Sequence, residues 1–200
     1  MNISAIPVPD FDDDDDFEPL ESYNPLSGSC GHIPLNRSFN NSMPLFRPSY
    51  DLDYSSLCEK KGLVLLDKST PIKCTANSAV YAAKSPGNGE MFAVKFTKYK
   101  NRIQSEYSNR KSIQSQSPYL LKSISIEDSP TNQEAMLQME FCPNGDLKSM
   151  METTPVFPEE YLWKMLHDIG HALYELHKNN WMHLDVSPGN VLISDTCFKL

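Results

Sequence analysis

Apolar residues along this chain fall into two rhythms, and its first stretch has neither. From Gly62 onward short apolar runs alternate with polar turns: Leu63-Val64-Leu65-Leu66, Ala79-Val80-Tyr81-Ala82-Ala83 and Met91-Phe92-Ala93-Val94-Lys95-Phe96. Ser85-Pro86-Gly87-Asn88-Gly89, between the second and third runs, has the composition of a tight turn. Short runs punctuated in this way predict antiparallel strands joined by hairpins. Two more strands are predicted, one from Leu120-Leu121 through Ile124 and Ile126, the other over Ala135–Cys142. Before them, residues 101–113 lack Gly and Pro and predict a helix with a thin apolar face at Ile103 and Tyr107. After residue 158 the rhythm lengthens. Leu162, Met165, Leu166, Ile169, Ala172, Leu173 and Leu176 recur at three- and four-residue steps, one face of a helix of about five turns. Pro158 sits in its first turn, and Glu159 and Glu160 lie near the positive end of its dipole. The pattern stops near Asn179-Asn180, and Val191–Ser194 with Phe198–Leu200 predict a small hairpin.

Charge divides the chain at the same place as the apolar pattern. Residues 1–60 hold 11 Asp or Glu against 3 Lys or Arg, and this accounts for the whole net charge of −8. Asp12 to Asp16 are an unbroken run, and seven of the fifteen prolines lie in this segment. Self-repulsion, missing backbone donors and sparse apolar side chains predict a disordered acidic arm over residues 1–60. The remaining residues balance to zero, which argues against nucleic acid or an anionic membrane as a partner. Cys30, Cys58, Cys74, Cys142 and Cys197 are odd in number and scattered, as expected of reduced thiols rather than a disulfide framework or a zinc site. With no apolar run of about 18–20 residues and no signal-like N-terminus, a soluble intracellular monomer is expected.

The chemistry-bearing residues lie where the two patterns place ordered loops. His183-Leu184-Asp185-Val186-Ser187-Pro188-Gly189-Asn190-Val191-Leu192 puts an Asp and an Asn five positions apart between the long helix and the hairpin. This resembles the catalytic loop of protein kinases, H-R-D-x-x-x-x-N, and Phe92-Ala93-Val94-Lys95 resembles the V-A-I-K strand of that family. The resemblance covers roughly residues 63–200. It implies an α+β fold: a small antiparallel β lobe with one helix (61–142, ending in the hinge), then a mainly helical large lobe (143–200), cut short before the D-F-G segment. It implies ATP and Mg2+ as cofactors and a protein as substrate. Asp185 would be the catalytic base, Asn190 the magnesium ligand, and Lys95 the phosphate anchor paired with Glu106 of the small-lobe helix. Ile72, Val80, Ala93, Met139 and Leu192 would line the adenine site, Glu140 and Cys142 would offer hinge backbone groups, and Asp146 would meet the ribose.

Within the family, the stretch Leu162-Trp163-Lys164-Met165-Leu166 and the motif Met182-His183-Leu184-Asp185-Val186 are similar to the Wee-type kinases. Those enzymes phosphorylate cyclin-dependent kinases and restrain mitotic entry. Leu184 stands where most kinases carry Arg, so control by a phosphorylated activation loop is not expected. Residence in the nucleus or the cytoplasm follows from the same resemblance. Two departures cut against activity. The three loop glycines fall at Lys73, Thr75 and Ser78, and the lysine two residues after the catalytic Asp is Ser187. A catalytically inactive binding module of kinase shape is therefore the alternative expectation. The absent remainder of the large lobe is further expected to leave an apolar patch on the long helix.

Overall fold

A computed structural model describes residues 54–114, 117–129, 134–154 and 156–200; the predicted arm lies outside them as far as residue 53. The arm does not extend to residue 60 as expected, because Tyr54–Lys60 forms a helix, α1, that buries Tyr54, Leu57 and Cys58. Those three positions lie on one face of two turns. That is too short a pattern to stand out among Ser, Glu and Lys.

Six strands follow: β1 (Val64–Leu65), β2 (Lys73–Cys74), β3 (Ser78–Lys84), β4 (Met91–Thr97), β5 (Ser123–Asp128) and β6 (Ala135–Glu140). They form an antiparallel sheet in the order β1-β3-β4-β6-β5, with β2 also paired to β3. The predicted turn closes the β3–β4 hairpin, with Ser85 N–H donating to Glu90 O at 2.9 Å. Its Gly89 adopts φ +72°, a conformation that only glycine enters without strain.

Period-two alternation gives this sheet two unlike faces. Ala79, Tyr81, Ala83, Phe92, Val94 and Phe96 are buried on one face and pack against α1. The Tyr54 ring stacks on Phe96 at 3.8 Å with an interplanar angle of 8°. On the other face Val80, Ala82, Ala93 and Lys95 stay half-buried. A second helix, α2 (Lys100–Gln114), covers part of that face by setting Ile103 against Ala135 and Leu137. Because α2 presents so little apolar surface, polar contacts hold it as well. Gln104 Nε2 donates to Asp128 Oδ2 at 2.6 Å, and Tyr107 Oη donates to Ile124 O at 3.0 Å. The small lobe thus carries two helices where one was expected.

Leu120-Leu121 is not strand, contrary to expectation. Leu121 N–H donates to Leu200 O and Leu200 N–H to Tyr119 O, both at 2.9 Å, so this pair joins the C-terminal hairpin. Leu120 and Ile113 enter the large-lobe core with Leu147, Leu176 and Phe198. The remaining elements are α3 (Leu147–Thr153), α4 (Glu159–Lys178), a 3₁₀ turn at Pro188–Asn190, and the hairpin β7 (Leu192–Ile193) and β8 (Phe198–Lys199).

Twenty residues make α4 about 30 Å long. Ala172 and Leu176 are buried and Met165, Ile169 and Leu173 half-buried, but Leu162 and Leu166 are exposed despite their place in the apolar pattern. Trp163 and Tyr174 add to this exposed apolar surface. The interior of α4 holds Asp168 instead, fully buried. Its Oδ2 accepts Phe198 N–H at 2.9 Å, Lys164 Nζ lies 3.1 Å from the same oxygen, and His167 Nδ1 lies 3.0 Å from Oδ1. The helix ends on a Schellman cap. Asn180, at φ +61°, donates to His177 O, and Trp181 N–H donates to Leu176 O.

Candidate active site

The half-buried face of the sheet is the roof of the candidate site. Directly opposed residues of antiparallel strands point to the same side. The pairs Val80↔Lys95 and Ala82↔Ala93, continued by Lys95↔Leu137 and Ala93↔Met139, therefore place Val80, Ala93, Lys95 and Met139 on one surface. Met139 also packs with Ile103, Ala135 and Leu137 beneath α2. Ile72 joins this edge by donating its N–H to Val80 O at 2.7 Å. Glu106 lies on α2, but its side chain lies outside the described residues. The expected pairing with Lys95 is thus untouched by the geometry.

The floor comes from the hinge and the hairpin. Asn144 N–H donates to Ile193 O, Ile193 N–H to Gly145 O and Leu147 N–H to Val191 O, so the segment after β6 runs paired against β7. Leu192 sits half-buried within this pairing, opposite Asp146. Glu140 ties the same two parts together through its side chain: Oε1 accepts Lys122 N–H at 2.7 Å and Lys199 Nζ at 3.0 Å. Cys142 is buried, and its carbonyl accepts Gly145 N–H at 3.2 Å in the turn that Gly145 closes at φ +76°. Burial, followed by the charge of Glu140, pushes the Cys142 thiol up to about 12. Asp146, expected at a ribose, caps α3: its Oδ1 accepts Ser149 N–H and Ser149 Oγ, both at 2.8 Å. The carboxylate is held by its own helix, which fixes where it can point.

Asp185 and Asn190 come together at the mouth of this cleft. Asn190 Nδ2 donates to Asp185 Oδ2 at 2.8 Å and to Asp185 O at 3.0 Å. The amide therefore shapes the loop and orients the carboxylate, while Asp185 itself remains exposed. Leu184 is left-handed at φ +62° and 85 % exposed. For a branched side chain that conformation costs about 1–2 kcal/mol, a strain set beside the candidate base.

Two residues that the sequence reading did not assign to the site also belong to it. Lys73, in β2, reaches across from the small lobe: its Nζ donates to Gly189 O at 2.8 Å and to Asn190 Oδ1 at 3.0 Å. In the sequence Lys73 shows only as a missing glycine, and a contact 116 positions away leaves no local trace. Asp168 is the other, since it anchors β8 and with it the strand that follows the loop. Its signal was present, as a lone carboxylate in the middle of the apolar stripe of α4.

The segment joining β2 to β3 explains what the absent glycines cost. Thr75 Oγ1 accepts Ser78 N–H at 3.1 Å and Asn77 N–H at 3.4 Å, and Thr75 N–H donates to Ser78 O at 2.8 Å. Amides that a glycine-rich loop turns toward phosphate are here closed on a threonine hydroxyl. The cation-attracting character of the site survives. Gly189 O and Asn190 Oδ1 already hold an ammonium between them, the kind of oxygen pair that suits a hard cation. Among the described residues no three His, Cys, Asp or Glu side chains gather as a metal site, and no helix is long and apolar enough to cross a membrane.

Residues 75–200 match the protein kinase domain family. The chain is 33 % identical over 156 residues to the serine/threonine-protein kinase greatwall of Xenopus tropicalis, covering 72 % of this chain and 17 % of that protein. It is 28 % identical over 132 residues to the serine/threonine-protein kinase RIM15 of Saccharomyces cerevisiae, covering 62 % and 7 %. It is 40 % identical over 58 residues to the human serine/threonine-protein kinase ULK3, covering 29 % and 12 %. The chain thus spans less than a fifth of each of these relatives. They lend no support to the Wee-type membership expected from residues 162–166 and 182–186. A roof of paired strands that carries Lys95, a hinge bonded to β7 and a loop that joins Asp185 to Asn190 all occur in the family's order within the matched span: the chain belongs to the protein kinase domain family.

Proposed function

We propose that this chain carries the nucleotide cleft and catalytic loop of an ATP- and magnesium-dependent kinase that phosphorylates serine or threonine in a protein. The observation that carries the reading is the contact between Asn190 Nδ2 and Asp185 Oδ2. It holds one carboxylate oxygen and leaves the exposed side of Asp185 to take the proton of a substrate hydroxyl. Lys95 would hold the nucleotide's phosphates from the roof, and Asn190 Oδ1 would take the metal. ATP supplies the transferable phosphoryl group and magnesium neutralises its charge. Val80, Ala93 and Leu192 would enclose the base with short or apolar side chains.

Phosphate transfer from ATP to a panel of Ser, Thr and Tyr peptides tests the reading. Asp185→Asn should lower the rate by about 10²–10⁴-fold while leaving ATP binding in place. Equal rates for both proteins would remove Asp185 as the base. ATP binding without any transfer would instead support the kinase-shaped binding module. Leu184 favours a second, narrower reading, a Wee-type enzyme acting on a cyclin-dependent kinase, because the position offers no cation to a phosphorylated activation loop. Preference for the Tyr peptides, or for Tyr together with Thr, is what that reading requires, and preference for Ser excludes it.

A further inference from the structure

We propose that Lys73 is the cation that meets the terminal phosphate of ATP in this cleft, in place of the lysine that Ser187 lacks. The inference rests on the kinase reading above and deepens it. Three observations converge on it. The Lys73 ammonium lies at the catalytic loop, 2.8 Å from Gly189 O and 3.0 Å from Asn190 Oδ1, and Asn190 is itself bonded to the candidate base. Ser187, two residues after Asp185, is neutral. The Asn77 and Ser78 amides beneath the nucleotide-covering loop are closed on Thr75 Oγ1, which leaves that loop short of donors for phosphate.

Phosphoryl transfer needs positive charge where the transferring group sits, and the chemistry does not depend on which chain segment delivers it. Here the charge comes from the opposite lip of the cleft. Lys73 is exposed, and among the described residues it is held by two neutral acceptors, Gly189 O and Asn190 Oδ1. A phosphate oxygen carries a full charge, so a hydrogen bond to it is stronger than one to a carbonyl or an amide oxygen. The ammonium therefore gains by turning from Gly189 and Asn190 onto phosphate. That exchange would free Asn190 Oδ1 at the moment a metal needs it.

The experiment is calorimetric titration of the whole chain with ATP, ADP and adenosine, in the presence of magnesium. Lys73→Ala should weaken ATP binding by about tenfold, one charge-assisted hydrogen bond, and leave adenosine unchanged. Adding Ser187→Lys to that variant should recover most of the loss. Lys73→Gln, which keeps the stem without the charge, should behave as Lys73→Ala. ATP binding by Lys73→Ala equal to that of the unaltered chain overturns the inference alone. Tighter binding overturns it too, because it would show a latch that competes with nucleotide. Failure of the unaltered chain to bind ATP overturns both this inference and the kinase reading beneath it.

Discussion

Replacing Asp168 by alanine should be among the most damaging single changes available in the large lobe. The side chain is fully buried and accepts hydrogen bonds from three directions: Phe198 N–H, Lys164 Nζ and His167 Nδ1. Alanine strands the Phe198 N–H, which belongs to a residue that is itself fully buried. A buried donor without an acceptor costs about 1–3 kcal/mol. Lys164 loses its counter-charge but keeps 19 % of its side chain in contact with water, so the usual cost of about 3–5 kcal/mol for breaking a buried pair applies only in part. About 3 kcal/mol is the resulting expectation, a fall in Tm of about 6–12 °C for a chain of this size. Asp168→Asn keeps an acceptor of the same shape for Phe198 N–H and should lose only about half as much. Thermal unfolding followed by circular dichroism distinguishes the two variants. A loss below about 1 kcal/mol for alanine would refute the argument. Equal losses for alanine and asparagine would show that charge, not the bond to Phe198, is what Asp168 supplies.

Two further predictions test the small lobe and the hinge. Leu57→Ala removes a fully packed side chain from α1 and should destabilise the chain by about 2–4 kcal/mol in denaturant unfolding; a change near zero would show that the segment before residue 61 is not part of the lobe. Cys142 should resist alkylation by iodoacetamide at pH 8, because a thiol raised to about 12 holds almost no thiolate there. Its labelling should rise only as pH climbs toward that value or as the chain unfolds, and mass spectrometry would read this. Rapid labelling of Cys142 at pH 8 in the folded chain would contradict the burial that raises it.

How much of this could be read from the sequence depended on whether the cause was local. Strand alternation around Val80 and Lys95 is a period-two signal, and the turn between those strands announces itself in Pro86, Gly87 and Gly89. The long helix is legible from Leu162 to Leu176, and the apolar patch expected on it is present at Leu162 and Leu166, but the sequence does not say which positions of the stripe are buried. Periodicity identifies the apolar stripe but not which part of it finds a partner, and Asp168 sits inside while Leu166 stays outside. His167 and His171 pack their rings around Tyr119, a contact between distant segments that helical spacing alone does not reveal. The resemblance places Asp146 at a ribose, and its local sequence, Asp-Leu-Lys-Ser, also offers the helix cap that it makes to Ser149. The family motif identified Asp185 and Asn190 from their spacing. It could not identify Lys73, whose role exists only once the two lobes face each other.

The geometry of the catalytic loop is inherited from its two ends, and they are built differently. On the side of α4 the loop leaves through the Schellman cap at Asn180, in which carbonyls of the last turn set the exit direction and Asn179 Nδ2 adds a bond to Glu175 O. On the other side it enters β7, which is bonded to the hinge, while β8 is fastened to Asp168, Glu140 and the Tyr119–Leu121 backbone. Between these anchors Met182, Leu184, Asp185 and Val186 are exposed, and Asn190 crosses the loop to brace Asp185. The loop therefore spends little of its stability on its own side chains. That division explains how Arg-to-Leu and Lys-to-Ser departures at 184 and 187 can accumulate without disturbing the Asp185–Asn190 pair. The fold holds the pair from outside, and in the proposal above it is Lys73, bonded to Asn190, that brings the charge Ser187 does not.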